Sequence, residues 1–149
     1  MGEWREGTVL VCGASSQIGW FLLPELVRTG APVLALSRRE QPAVAGVTWL
    51  QDALPQPSRV AEAAVSVCSF APLDALARWI DAGAAPNLER VVATSSMSAE
   101  SKQASPVAAE REISRRLREG EAALASACER RRVAWTILRP TLIYGAARD

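Results

Sequence analysis

The chain has 149 residues, 49% of them hydrophobic, and a formal net charge of +1. That length suffices for one domain with a buried core, and the near-neutral balance argues against a nucleic-acid surface or a charged disordered tail. Histidine is absent, which excludes histidine bases and ligands, and Cys12, Cys68 and Cys128 lack the spacing of a zinc site. No apolar run reaches the roughly 18 residues of a membrane span, and the N-terminal MGEWREG is charged where a signal peptide is apolar. A cytoplasmic protein that binds no membrane is therefore expected, with the three cysteines as buried free thiols.

The first predicted strand, Val9 to Cys12, runs into Gly13, and Gly19 opens an apolar run at helical spacing. Thr8 to Gly19 thus reads as strand, tight turn and helix start. Such a helix start offers unpaired N–H groups and the positive end of the dipole to an anion, provided the chain approaches closely. Gly13 would allow the sharp turn, and Gly19 would let the helix pack closely against the strand. Ser15, Ser16 and Gln17 supply further donors for a pyrophosphate, and Ile18 completes the candidate phosphate loop. The competing reading is a purely structural βα turn.

The spacing G-x-x-S-x-x-G resembles the G-x-x-G-x-x-G fingerprint of the extended and atypical short-chain dehydrogenase/reductases, which include nucleotide-sugar epimerases and dehydratases. Ser16 stands where that fingerprint has its middle glycine. The resemblance extends from Thr8 to Gly145. It implies an α/β Rossmann fold: one NAD(P)-binding domain over residues 1–149, with a doubly wound parallel sheet of about six strands in the order 3-2-1-4-5-6.

A helix is predicted from Ile18 to Thr29, ended by Gly30, with Pro24 in its first turns where a missing N–H costs little. Pro32 to Ser37 reads as a second strand, nearly all apolar, as a parallel strand covered on both faces should be. In NAD-preferring relatives an acidic residue at the end of this strand accepts hydrogen bonds from the ribose hydroxyls. This chain has Ser37, Arg38 and Arg39 there, a set that would hold the extra phosphate of NADP, so NADP is expected over NAD. Two solvated loop arginines are the alternative.

Val47 to Leu50 is a short third strand. The resemblance then places Asp52 and Ala53 beside the adenine, although Asp52 could equally cap the next turn. Two helical turns from Val60 to Ala64 precede a fourth strand, Val65 to Ser69, and Phe70, Ala71 and Pro72 follow where the adenosine half of the cofactor usually passes. A helix is predicted from Leu73 to Ala82 and a fifth strand within Leu88 to Ser95. In the family this strand often ends in a serine pair, one of which holds a substrate oxygen; Ser95 and Ser96 match that place. Met97 to Pro106 reads as a serine-rich loop, and Val107 to Arg131 as a long amphipathic helix with Ile113, Leu117, Leu124 and Cys128 on one face. Strands and helices alternate throughout.

The sixth strand, Ala134 to Leu138, leads into RPTLIYG, and by resemblance Arg139, Pro140 and Thr141 are weaker cofactor-site candidates. Catalytic relatives use a tyrosine and a lysine four residues apart on the long helix. Here the single tyrosine is Tyr144 and the single lysine is Lys102, so no such pair exists. Aligning Glu121 with the family's acidic residue puts Ile113 and Leu117 at the two catalytic places. Lys102 in its serine-rich loop reads as a solvated charge.

Extended relatives continue past the Tyr-Gly into a seventh strand and a substrate lobe. With none recognisable before Asp149, the expectation is an open edge on the sixth strand, covered by a second copy in a homodimer or by the rest of a longer protein. The function expected is NADP binding without the Tyr-x-x-x-Lys pair. That leaves an oxidoreductase or isomerase acting on an unidentified small molecule, with a non-catalytic NADPH-sensing module as the alternative. A third reading keeps the fold but has a dead cofactor site.

Overall fold

Thr8–Cys12 form strand β1, and from Val9 onward every one of its side chains is buried. Burial on both sides of one strand requires a layer on each face, and the order of elements supplies it. In the computed structural model, which describes residues 7–144, β1 is followed by helix α1 (Gln17–Arg28) and strands β2 (Val33–Ser37) and β3 (Val47–Gln51). A 3-10 turn (Arg59–Ala63), β4 (Ala64–Ser69), α2 (Leu73–Asp81) and β5 (Arg90–Thr94) come next. The described chain closes with α3 (Ser98–Ser101), α4 (Ala108–Arg130) and β6 (Ala134–Leu138). The strands form one parallel sheet in the order β3-β2-β1-β4-β5-β6, the expected Rossmann topology.

The two layers divide the apolar residues by strand parity. Leu10, Cys12, Leu34 and Leu36 face α2 and α4, while Val9, Val11, Val33 and Ala35 face α1. Helix α2 lies tightly on α4, because Gly120 brings the backbones together: a Cβ on Gly120 would stand 3.1 Å from Leu73 Cβ. The Ser114 hydroxyl donates to the Ala99 carbonyl at 2.7 Å and ties α4 to α3. Arg130 closes the far end, donating to both Asp81 carboxylate oxygens at 3.0 and 2.7 Å.

Several expectations need correction. No helix joins β2 to β3, so alternation is not complete; residues 38–46 cross in an irregular segment. The turns expected at Val60 to Ala64 are a 3-10 turn, and the serine-rich loop contains the short helix α3. Pro24 lies inside α1 rather than in its first turn, with no N–H to give to the ladder there. Ile113 is 44% exposed, because the buried stripe of α4 runs through Ser114, Gly120, Leu124, Ala127 and Cys128. Cys68 is only half-buried. It stands in the row Val11, Cys68, Val92, Thr136 across the sheet, on the α1 side. Burial fades along that row from the fully buried Val11 to an exposed Thr136, since no described helix covers β5 and β6 on this side. Among the described residues β6 pairs only with β5. Gly145, the last residue of the expected Tyr-Gly, lies outside the described residues.

Candidate functional site

The site grows out of the end of β1. Gly13 has φ +67, a left-handed conformation, and a Cβ there would lie 3.0 Å from the carbonyl carbon of Phe70. The turn is closed by Ser16 N–H donating to the Gly13 carbonyl at 3.0 Å, and it is pinned to the sheet by Phe70 N–H donating to the Cys12 carbonyl at 2.8 Å. Ser16 is the N-cap of α1: its backbone is extended (φ −67, ψ 167) and its Oγ accepts from Gly19 N–H at 3.2 Å. A serine therefore fits where the fingerprint has glycine, since no positive φ is needed. With the Gly19 N–H taken by the cap, the N–H groups of Gln17 and Ile18, which precede the first intrahelical acceptors, are the ones open to an anion. The Gln17 side-chain Nε2 is buried without a hydrogen-bond partner among the described residues. Gly19 itself packs on the loop rather than on the strand, because a Cβ there would fall 2.2 Å from the Ala14 carbonyl oxygen.

Beside this turn is a cleft of about 300 Å³ at the carboxyl ends of β1, β2, β3 and β4. It brings together Gly13, Ser15, Ser37, Arg38, Asp52 and Ala53 from the sequence-derived set. Phe70, Ala71 and Pro72 form its far wall, with Cys12, Leu36, Leu54 and Ala75 completing it. A second recess of about 340 Å³ is lined by Ser15, Ser37, Arg38, Arg39 and Gln41. Ser37 is buried, and its hydroxyl oxygen accepts from Arg39 N–H and Gln41 Nε2, each at 3.2 Å, which fixes the backbone turn that carries the two exposed arginines. Gln41 was missed in the sequence; its one signal was a polar side chain four residues beyond Ser37. Asp52 does cap the following turn, accepting from Ser58 N–H on Oδ2 at 3.1 Å, while still lining the cleft. Burial pushes the Cys12 thiol up to about 12, so the one thiol lining the cleft stays protonated at neutral pH.

The remaining candidates lie in neither recess. Ser95 Oγ donates to Glu121 Oε1 at 2.5 Å, and Arg139 grips the same carboxylate through Nε at 2.9 Å and Nη2 at 2.6 Å. Ser95 thus has its proton committed and cannot donate it to a substrate oxygen in this arrangement. The guanidinium of Arg139, the cofactor candidate on β6's trailing segment, is committed likewise. Ser96 accepts from Ser98 N–H at 3.1 Å and keeps its own hydroxyl proton available, and Pro140 accepts Met97 N–H on its carbonyl at 3.0 Å. Lys102 stands 3.7 Å from Glu110, which makes it one partner of an ion pair. Of the two residues expected at the tyrosine and lysine places, Ile113 is exposed and Leu117 half-buried, and neither can exchange a proton.

The Arg139 hydrogen bonds, with a smaller contribution from Ser95, hold the Glu121 carboxyl below its ordinary 4.5. The unfolded chain therefore takes up this proton first as pH falls, so the contribution of Glu121 to stability is complete above pH 4.5 and is lost on descent through the lower folded value. Glu121→Gln is expected to flatten the acid limb of stability measured by denaturant melts between about pH 3 and about pH 5. An unchanged slope would show that the Ser95, Glu121 and Arg139 cluster does not couple folding to protonation.

The sequence pattern of a family described as NAD(P)H-binding matches residues 13–147. Among solved structures, the chain is similar to a UDP-glucuronic acid 4-epimerase from Bacillus cereus in complex with NAD, at 13% identity and TM-score 0.73, covering 93% of this chain and 57% of that one. It is similar to a short-chain dehydrogenase from Burkholderia cenocepacia in complex with NADP, at 17% identity and TM-score 0.70, covering 94% and 74% of the two chains. A wide-type short-chain dehydrogenase/reductase from Veillonella parvula in complex with NADP matches at 21% identity and TM-score 0.68, covering 95% and 72%. The chain thus spans a little over half the length of the epimerase. No curated protein matches it. No helix among the described residues is long and apolar enough to cross a membrane. With its family pattern matched from Gly13 onward and its sheet in Rossmann order, the chain belongs to the NAD(P)H-binding family.

Proposed function

We propose that this protein binds NADP in preference to NAD. The phosphate loop from Gly13 to Gly19 would hold the pyrophosphate, Ser37, Arg38 and Arg39 the ribose 2′-phosphate, and Asp52 and Ala53 the adenine. The observation that carries this reading is the recess at the end of β2, where two guanidiniums and two serines converge and no carboxylate lines the wall. A charge-assisted hydrogen bond contributes about 1.5–3 kcal/mol, so one good contact to the phosphate corresponds to roughly ten- to a hundredfold in affinity. The residues present fit the cofactor. The left-handed Gly13 lets the turn pack closely on Phe70, and the Gln17 amide and the first N–H groups of α1 are donors without a partner among the described residues, open to an anion. Calorimetric titration with NADPH and NADH tests this, with NADPH expected to bind about ten- to a hundredfold more tightly. Equal affinities would contradict the phosphate recess, and binding of neither would contradict the whole reading.

The bound cofactor would supply hydride chemistry. The chain's own part is to hold and orient it and to place Ser96, whose proton is available, toward a substrate oxygen. We read the protein as a cytoplasmic oxidoreductase or isomerase that draws its proton from solvent or substrate. A second reading, an NADPH sensor acting through a partner, is favoured by the apolar Ile113 and Leu117 where proton transfer would occur. NADPH oxidation with a carbonyl, flavin or quinone separates the two, since a sensor binds and turns over none of them. The free edge of β6, with Trp135 and Leu138 exposed beside it, supports a homodimer; a chain that sediments as a monomer would remove that part of the reading.

A further inference from the structure

The segment that replaces a helix between β2 and β3 leaves a cavity. Residues 38–46 pass over the flank of α1, held close at Gly46, where a Cβ would lie 2.6 Å from Val27 Cγ1. Between helix and segment opens a cavity of about 400 Å³, walled by Trp20, Leu23 and Pro24 of α1, by Pro42 and Val44 of the crossing, and by Trp49 of β3. Its size and largely apolar, aromatic lining are those of a small-molecule pocket.

Two further observations say what it takes. The indole Nε1 of Trp49 is buried with no acceptor among the described residues, and a donor left this way costs free energy until a ligand oxygen meets it. The cavity also shares Ser15 and Gln41 with the recess that carries Arg38 and Arg39, neither of which forms an ion pair among the described residues. An apolar aromatic chamber, one of whose lining residues carries an orphan donor, thus lies beside a cationic recess.

We infer that this cavity is a second small-molecule site, selective for a flat aromatic or fused-ring compound bearing an acidic group. The ring system lies between Trp20 and the Pro42–Val44 segment, an acceptor meets Trp49 Nε1, and the acid points toward Arg39. The inference rests on the cavity and on Arg39, which the proposed 2′-phosphate site shares, and does not require the cofactor reading.

The test uses two fluorescent probes on the purified chain: 8-anilinonaphthalene-1-sulfonate and its neutral analogue N-phenyl-1-naphthylamine. Saturable binding at one site per chain is expected, with energy transfer from tryptophan. Trp20→Ala, at a half-exposed position, should weaken both probes by about tenfold or more, and Arg39→Glu should weaken the sulfonate alone. Trp49→Phe, which keeps the ring and removes the donor, should weaken the sulfonate severalfold. Trp135→Ala, on the far edge of the sheet, should change nothing. Unchanged binding in both Trp20→Ala and Trp49→Phe would overturn the inference, as would loss of binding in Trp135→Ala. Equal weakening of both probes by Arg39→Glu would overturn the selectivity for an acid. A concentration-dependent dimer abolished by Trp20→Ala, with no probe bound, would overturn it in favour of a second copy.

Discussion

Gly19→Ala is expected to abolish dinucleotide binding and to cost about 1–3 kcal/mol of stability, the range for forcing extra volume into a well-packed place. The new methyl would fall 2.2 Å from the Ala14 carbonyl oxygen and 2.7 Å from its carbon. Both are backbone atoms of the turn, so no side chain can swing aside. Either α1 moves away from β1 or the turn is pushed outward. Each displaces the N–H groups of Gln17 and Ile18 and breaks the cap from Ser16 Oγ to Gly19 N–H. Thermal unfolding and NADPH titration of the variant check both parts. A variant with normal affinity would mean that the turn can deform freely, and that the start of α1 does not hold the pyrophosphate.

Arg38→Ala is expected to weaken NADPH by about ten- to a hundredfold while leaving NADH within about twofold. Arg38 is the arginine to choose because it lines both the cleft and the recess beside it, whereas Arg39 lines the recess alone. Its side chain is exposed, so the fold should not suffer. Arg38→Lys should recover part of the loss, since an ammonium keeps the charge but not the planar fork that grips a phosphate in two places. Equal losses for the two dinucleotides would show that Arg38 acts on the pyrophosphate or on the loop, and not on the 2′-phosphate.

The sheet order was legible in the sequence because each strand is a short apolar block bounded by glycine, proline or charge. Alternating βα units of right-handed crossover leave few other arrangements. The crossing from β2 to β3 was the exception. The nine residues RREQPAVAG carry no helical periodicity, and Pro42 and Gly46 oppose one, so the general expectation of alternation fails where the local signal already lacked a helix. Ile113 was misplaced for another reason. Close approach of α2 selects Gly120 on α4 and the bond to the Ala99 carbonyl of α3 buries Ser114, so both are buried where hydropathy would rank Ile113 first. Of the candidate site, the glycine turn and the strand-end arginines could be read directly, since both are local features of chain geometry and charge. The Ser95, Glu121 and Arg139 cluster could not, because its members lie just after β5, on α4 and on the segment after β6 and meet only through tertiary packing.

The central claim is the placement of NADPH against the first turn of α1 and the end of β2. Backbone amide shifts on NADPH titration test it most directly. The amides of residues 13–19 and 37–39 should move together with a single affinity, and those of 38 and 39 should move less with NADH. Shifts confined to α4 and β6, or to the walls of the Trp20 and Trp49 cavity, would contradict it.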